Sequence, residues 1–167
     1  RIVGNLFLPL EEARTEPIAG RLIEVPEDEP RSETVRDPRA GFIAYVPEGS
    51  LARGKRLVTP GGATIVDNEI IQGKTTPCTA CHAPDLMGVG KVPPIAGRSP
   101  SYLARQLFDI QQGTRRGPGI ELMKTIVAKL TPDDIKAIVA YVGSKYPPDP
   151  KDVEESDAVR AEALETQ

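Results

Sequence analysis

The sequence predicts a mainly α-helical fold: a bundle of three to four short helices with an irregular, β-containing N-terminal extension, packed around something the chain does not itself supply. Three observations lead there. Two stretches, 99–113 and 131–144, combine helix caps with apolar residues at helical spacing. Two β-like runs, RLIEV (21–25) and GFIAYV (41–46), lie in the first 46 residues. The core material is thin. Aromatic residues make up 4% of the 167 and tryptophan is absent, while the 17 prolines are about double the usual share of roughly 5%.

The bulk composition excludes little but points nowhere unusual. With 39% hydrophobic and 27% charged residues and a net charge of −3, nothing calls for a nucleic-acid or membrane partner. The first residue is Arg1 and no charged-apolar-small leader opens the chain, so a mature or trimmed protein is expected. The longest apolar runs, NLFLPL and IKAIVAYV, fall far short of the about 20 residues that span a bilayer. No transmembrane segment is expected in the chain, and an anchor lost in trimming is compatible with it.

Taken in order, residues 1–46 form the extension, charge-rich and punctuated by proline. Its two β-like runs either pair as a hairpin or wrap a neighbouring surface, and a partner-docking arm is the third reading. EGSLARGKRLV (48–58) reads as a short helix with Ser50 as N-cap. A loop rich in Gly, Thr and Pro occupies 59–77, and another follows residue 82. In SPSYLARQLFDIQQG, Ser99 caps and Pro100 suits the first helical position. Leu103, Leu107 and Ile110 share a face and Gly113 ends the helix. In TPDDIKAIVAYVGS, Thr131 caps and Asp133 and Asp134 favour the first turn. Ile135, Ile138, Val139 and Val142 make the stripe. From residue 147 the chain carries seven acidic against two basic residues, leaving +2 on residues 1–146. A mobile tail or marginal surface helix is expected there.

Both cysteines and the only histidine stand in one pentapeptide, Cys78-Thr79-Ala80-Cys81-His82. A thioredoxin-like CxxC needs a preceding strand in an α/β frame, and a Gly/Thr loop precedes this one. A structural zinc site needs four ligands, and the chain has three Cys and His residues in total. A disulfide between the cysteines leaves His82 unexplained. One reading uses every group. Two thiols three residues apart each add to a vinyl group of haem, and the adjacent imidazole binds the iron. A large covalently held apolar ring also supplies the missing core, so the haem-free chain should fold poorly.

With His82 alone the iron would be open; for a second protein ligand the usual candidate left is methionine, since no other histidine exists. Met87, five residues past His82, is tethered too closely to reach the opposite face of the ring. Met123, after the 99–113 helix and in a loop-like stretch, is free to do so. Apart from a haem, its ordinary reading is a core gap-filler.

The chain at this point resembles a class I c-type cytochrome of the small single-haem bacterial type, over roughly residues 47–146. The resemblance is carried by GKRLV, CTACH, PPIAG, SYLARQLFDIQQGTR, LMKTIVAKLTPDDI and AYV in that order. It implies a cytochrome c-like fold around one covalent haem c. It implies that the Pro93 carbonyl accepts the second ring N–H of His82, fixing its orientation, and that Ile95 packs on the ring. Gly54 would let the last helix cross the first near Tyr141. Arg98, Tyr102 and either Arg115 or Arg116 resemble residues that hold the propionates. Two features depart from the family pattern: the insertion at 59–77 and the 46-residue extension.

The function expected is one-electron transfer between redox proteins with His82/Met123 ligation, in the periplasm or on the periplasmic face of a membrane. The alternative is a fixed cytochrome subunit of a larger oxidoreductase complex. An open-site haem enzyme or sensor would require a vacant sixth position, and no distal acid or base group accompanies it.

Overall fold

The computed structural model describes residues 2–3, 6–7, 17–38, 40–146, 154, 156–157 and 159–161. It is mainly helical, with three two-stranded antiparallel sheets among the described residues. Strands β1 (Ile2–Val3) and β2 (Leu6–Phe7) form the first. The two β-like runs of the extension do pair: β3 (Ile23–Pro26) lies against β4 (Phe42–Tyr45), Ile23 facing Tyr45 and Pro26 facing Phe42. A single π-helical turn, Pro30–Thr34, lies between them.

This hairpin lies on the body. Leu22 packs against the core, and the Glu24 carboxylate accepts from Ser99 Oγ at 2.9 Å and from the Ser101 N–H at 3.0 Å. A carboxylate at a helix N-terminus satisfies donors that have no partner within the helix. The extension thus completes the cap of the helix that begins at Pro100.

Helix α1 runs Ser50–Val58 and buries Ser50, Gly54, Leu57 and Val58 on one face. Its N-cap is Gly49, at φ 77°, and Ser50 is already helical. The expectation that Ser50 caps is therefore corrected by one residue: burial of Ser50 inside the packed face takes its hydroxyl away from the capping position.

The stretch 59–77, expected as loop, contains a second hairpin. Strand β5 (Thr64–Val66) pairs with β6 (Glu69–Ile71) through Asp67 and Asn68, at φ 49° and 67°. Positive φ at both central residues is what a two-residue hairpin turn requires, and Asp and Asn accept it. The hairpin closes at a neck, where the Thr75 N–H donates to Gly61 O at 3.1 Å. Immediately beyond, the Cys78 N–H donates to Val58 O at 2.8 Å, placing the pentapeptide directly on the end of α1.

Helix α2 is one turn, Thr79–His82. Helix α3 (Pro100–Gln112) has the expected cap, Ser99 Oγ accepting from the Tyr102 N–H at 3.2 Å, and ends at Gly113, φ 72°. Helix α4 (Ile120–Val127) starts from Gly119, φ 81°. Met123 is in the middle of it and not in a loop, because the left-handed Gly119 resets the chain into a helical turn after Gly117-Pro118. Helix α5 (Pro132–Gly143) opens with a reciprocal box between Thr131 and Asp134.

Helix α5 is the centre of the bundle. It buries Ile135, Ala137, Ile138, Val139, Ala140 and Val142, more than one face. Helices α1 and α3 pack against it, and α4 packs against α3. The core cluster joins these to Leu57, Val58, Leu86, Ala96, Leu103, Ile110, Val127 and Leu130. Gln111 Nε2 donates to the carbonyls of Val127 and Leu130, each at 2.8 Å, tying the α4–α5 connection to α3.

Candidate haem site

The pentapeptide is placed by backbone bonds that the local sequence makes. The single turn α2 closes with the His82 N–H donating to Cys78 O at 2.9 Å. That winding brings both thiols, free and half-buried, and the imidazole onto one short segment. Cys78 lies against the core cluster, and burial pushes its thiol up to about 11. Before any haem is attached it is therefore a neutral S–H group at physiological pH.

His82 is buried, and its Nδ1 lies 2.9 Å from the carbonyl oxygen of Pro93. A carbonyl only accepts, so Nδ1 carries the proton, and the neutral ring keeps its Nε2 lone pair for a metal. Burial lowers the pKa of His82, outweighing the bond to Pro93, which raises it, and so favours the neutral ring. The contact spans eleven residues. It is set by the loop between, where the Gly88 N–H donates to His82 O at 2.9 Å and the N–H groups of Ile95 and Ala96 both donate to Leu86 O.

A rim of half-buried apolar side chains borders the core: Cys78, Ile95, Ala104, Leu107, Ile120 and Met123 pack against the buried cluster. These residues come from the pentapeptide, the PPIAG loop, α3 and α4. The donor set fits a covalent haem: two thiols for thioether bonds, a neutral imidazole with an oriented second nitrogen, and one thioether sulfur on a helix. Thr75 Oγ1 donates to Ile126 O at 2.8 Å, joining the segment before Cys78 to the helix that carries Met123.

Of the residues predicted for the site, the structure gathers Cys78, Cys81, His82 and Pro93 in one contact group, with Ile95 and Met123 on the rim of the same core. Arg98, Tyr102, Arg115 and Arg116 are exposed. Arg116 Nε donates to Gly113 O at 3.2 Å, and Tyr102 uses its backbone N–H in the α3 cap.

Residues that sequence reasoning missed lie in the tail. Glu154, Ser156, Asp157 and Val159–Ala161 are helical. Ser156 is 0% exposed and its Oγ accepts from the Asp85 N–H at 2.9 Å. Both carboxylate oxygens of Asp85 accept from Arg160 Nη2, at 2.9 and 2.8 Å. Burial alone would raise the pKa of Asp85, but the bonds from Arg160, the Met87 N–H and Ser156 outweigh it and hold it below the usual carboxylate value. The i, i+4 spacing of Ser156 and Arg160 was the available signal for a one-faced helix; nothing local named Asp85 as its partner.

A CxxCH turn whose histidine is oriented by a distant carbonyl, over an apolar rim, defines a protein built to carry covalent haem. Comparison with known proteins agrees: the family model for cytochrome c matches residues 62–145, just over half of the chain. The chain belongs to the cytochrome c family, whose members carry covalent haem c.

Among curated relatives, cytochrome c4 of Pseudomonas aeruginosa is 37% identical over 109 residues, covering 62% of this chain and 54% of that protein. Cytochrome c4 of Azotobacter vinelandii is 39% identical over 113 residues, 66% of this chain and 53% of the relative. A thiosulfate dehydrogenase electron acceptor of Stutzerimonas stutzeri is 43% identical over 72 residues, 41% of this chain and 33% of the relative. The matched part of this chain spans about half the length of the cytochrome c4 relatives.

Proposed function

We propose that this protein is a single-haem electron carrier that passes one electron at a time between redox proteins. The observation that carries the reading is the oriented imidazole of His82 within the CxxCH turn of a chain belonging to the cytochrome c family. When bound, the haem supplies an Fe(III)/Fe(II) couple.

In this reading Cys78 and Cys81 hold the group covalently, each S–H adding across a vinyl double bond with its hydrogen going to the other vinyl carbon. His82 offers Nε2, and the Pro93 carbonyl raises its donor strength and prevents the ring from turning. Met123 offers sulfur from α4, and the bond from Thr75 to Ile126 holds that helix to the segment before the pentapeptide. Ile95 and Leu107 keep water from the ring. Arg98 and Arg116, both exposed, would neutralise the propionates, and the exposed Tyr102 would donate a hydrogen bond to them.

The redox partners are proteins that meet an exposed edge through a small transient interface. The relative named as an electron acceptor of thiosulfate dehydrogenase supports such a role. The periplasm, or the periplasmic face of a membrane, is the proposed location; no helix among the described residues is long and apolar enough to cross a membrane.

A second reading, a cytochrome subunit fixed in a larger oxidoreductase, is favoured by one observation. The β5–β6 hairpin exposes Ile65, Val66, Ile70 and Ile71, with Ile65 and Ile70 at 74% and 71%, an unusual density of aliphatic surface.

Absorption spectra of the oxidised and reduced protein, repeated with Met123→Ala, test the proposal. A low-spin spectrum whose weak red sulfur-to-iron band disappears in the variant is the expected result. A high-spin wild-type spectrum that shifts on adding CO would overturn it.

A further inference from the structure

The loop that follows His82 is an improbable piece of backbone. Ala83, Leu86, Gly88 and Gly90 all have positive φ, at 66°, 59°, 77° and 55°. Ala83, at ψ 159°, occupies a region that is almost exclusive to glycine. Such a path persists only where surrounding contacts over-determine it. It must persist here, because this loop carries Pro93 to the histidine ring.

Contacts from the tail account for the constraint. Arg160 grips the loop at two points: Nη2 donates to both oxygens of Asp85, and Nε donates to Gly88 O at 3.3 Å. Asp85, 2% exposed, is also held from both sides along the chain. Its N–H donates to Ser156 Oγ and its Oδ1 accepts from the Met87 N–H at 2.9 Å. Gly88, gripped through its carbonyl, donates through its nitrogen to the carbonyl of His82. Two hydrogen bonds therefore connect the Arg160 guanidinium to the histidine backbone. The acidic composition of the tail hides the one basic residue that does this.

We infer that Arg160 and Asp85 act together as positioning residues for the haem ligand His82, the tail serving as a strap that holds the 83–93 loop and, through it, the Pro93–His82 hydrogen bond. The inference rests on the haem reading above. A firmly held Nδ1–H bond makes the imidazole a stronger donor and favours ferric iron. Loosening the strap weakens that bond and shifts the couple toward ferrous iron, raising the reduction potential.

The test uses the holoprotein and two variants that separate geometry from charge. Asp85→Asn with Arg160→Gln leaves the net charge unchanged. Arg160→Lys keeps the positive charge but loses the planar fork. In both, the reduction potential is expected to rise, and the His82 Nδ1 proton, followed by NMR in the ferrous state, is expected to exchange at least about tenfold faster through local opening. The sulfur-to-iron band should remain. Where the double variant fails to fold, the Lys variant carries the test. An unchanged or lowered potential with unchanged Nδ1–H exchange, even alongside a lower Tm, would reduce the strap to a stabilising contact and overturn the inference. A wild-type protein without a low-spin haem spectrum fails earlier, at the haem reading itself.

Discussion

Gly54 on α1 meets the backbone of Ala137 on α5 with no space for a methyl group: an added Cβ would overlap the Ala137 carbonyl oxygen and lie 2.6 Å from Tyr141 Cβ. This close approach of α1 to α5 depends on a missing side chain. Gly54→Ala should therefore destabilise the folded protein, although alanine is the better helix former, by about 1–3 kcal/mol as overpacked cores do. Denaturant unfolding of the holoprotein checks this; an unchanged midpoint would show that the helices separate at no cost.

Gly88 combines a positive φ of 77° with crowding, since an added Cβ would lie 2.8 Å from the Pro93 carbonyl carbon. Gly88→Ala is expected to cost about 1–3 kcal/mol. It should also displace the Pro93 carbonyl from His82, so the reduction potential should change together with stability. Protein-film voltammetry beside a thermal melt reads both.

Asp134, 2% exposed, accepts from Arg53 Nη2 at 2.6 Å, from Lys74 Nζ, and from the Thr131 N–H at 2.9 Å. Burial would raise its pKa, but these partners hold it well below the usual carboxylate range. A carboxylate lowered in the folded state contributes stability that is full above its unfolded pKa of about 3.9 and is lost as pH falls toward the folded value. Stability should therefore decline below about pH 4, and Asp134→Asn should flatten that acid limb. At neutral pH the variant should lose about 2 kcal/mol, below the figure for a fully buried pair because both cationic partners are half-exposed. Urea titrations between pH 2 and 7 on both proteins measure the difference.

Removing the haem tests the composition argument. With Cys78→Ser and Cys81→Ser, the group should be extractable by acidified organic solvent, and the emptied rim of Ile95, Leu107, Ile120 and Met123 would face water. Far-UV circular dichroism of the extracted protein should show most of the helical signal lost, as in small domains that fold around a metal. Retention of a cooperative melt would show that α5 and its neighbours suffice.

Much of this was legible because it is local. The Thr131 cap, the Pro100 start and the Gly113 stop each follow from side chains within a few residues, and CxxCH is complete in five. The resemblance supplied the Pro93–His82 contact and the Gly54 crossing, which no local pattern gives. The β5–β6 hairpin was missed although Asp67-Asn68 between TIV and EII is a turn signal, because the exposure of both strands removes the alternation that marks one. Ser50 was misplaced by one residue because burial, not propensity, decides its role. The tail was read from its net charge, whereas its docking depends on one arginine and one serine meeting a carboxylate over 70 residues away.

The neck at Gly61 and Thr75 has an evolutionary consequence. The chain leaves and re-enters the body at nearly the same point, and Cys78 is bonded to Val58 whatever hangs between them. Closing a longer loop there costs little, about 0.6 kcal/mol for each doubling of length. Sequence between the neck residues can lengthen, shorten or change character without moving the haem-binding turn. Selection can thus remodel this appendage independently of the redox centre it adjoins.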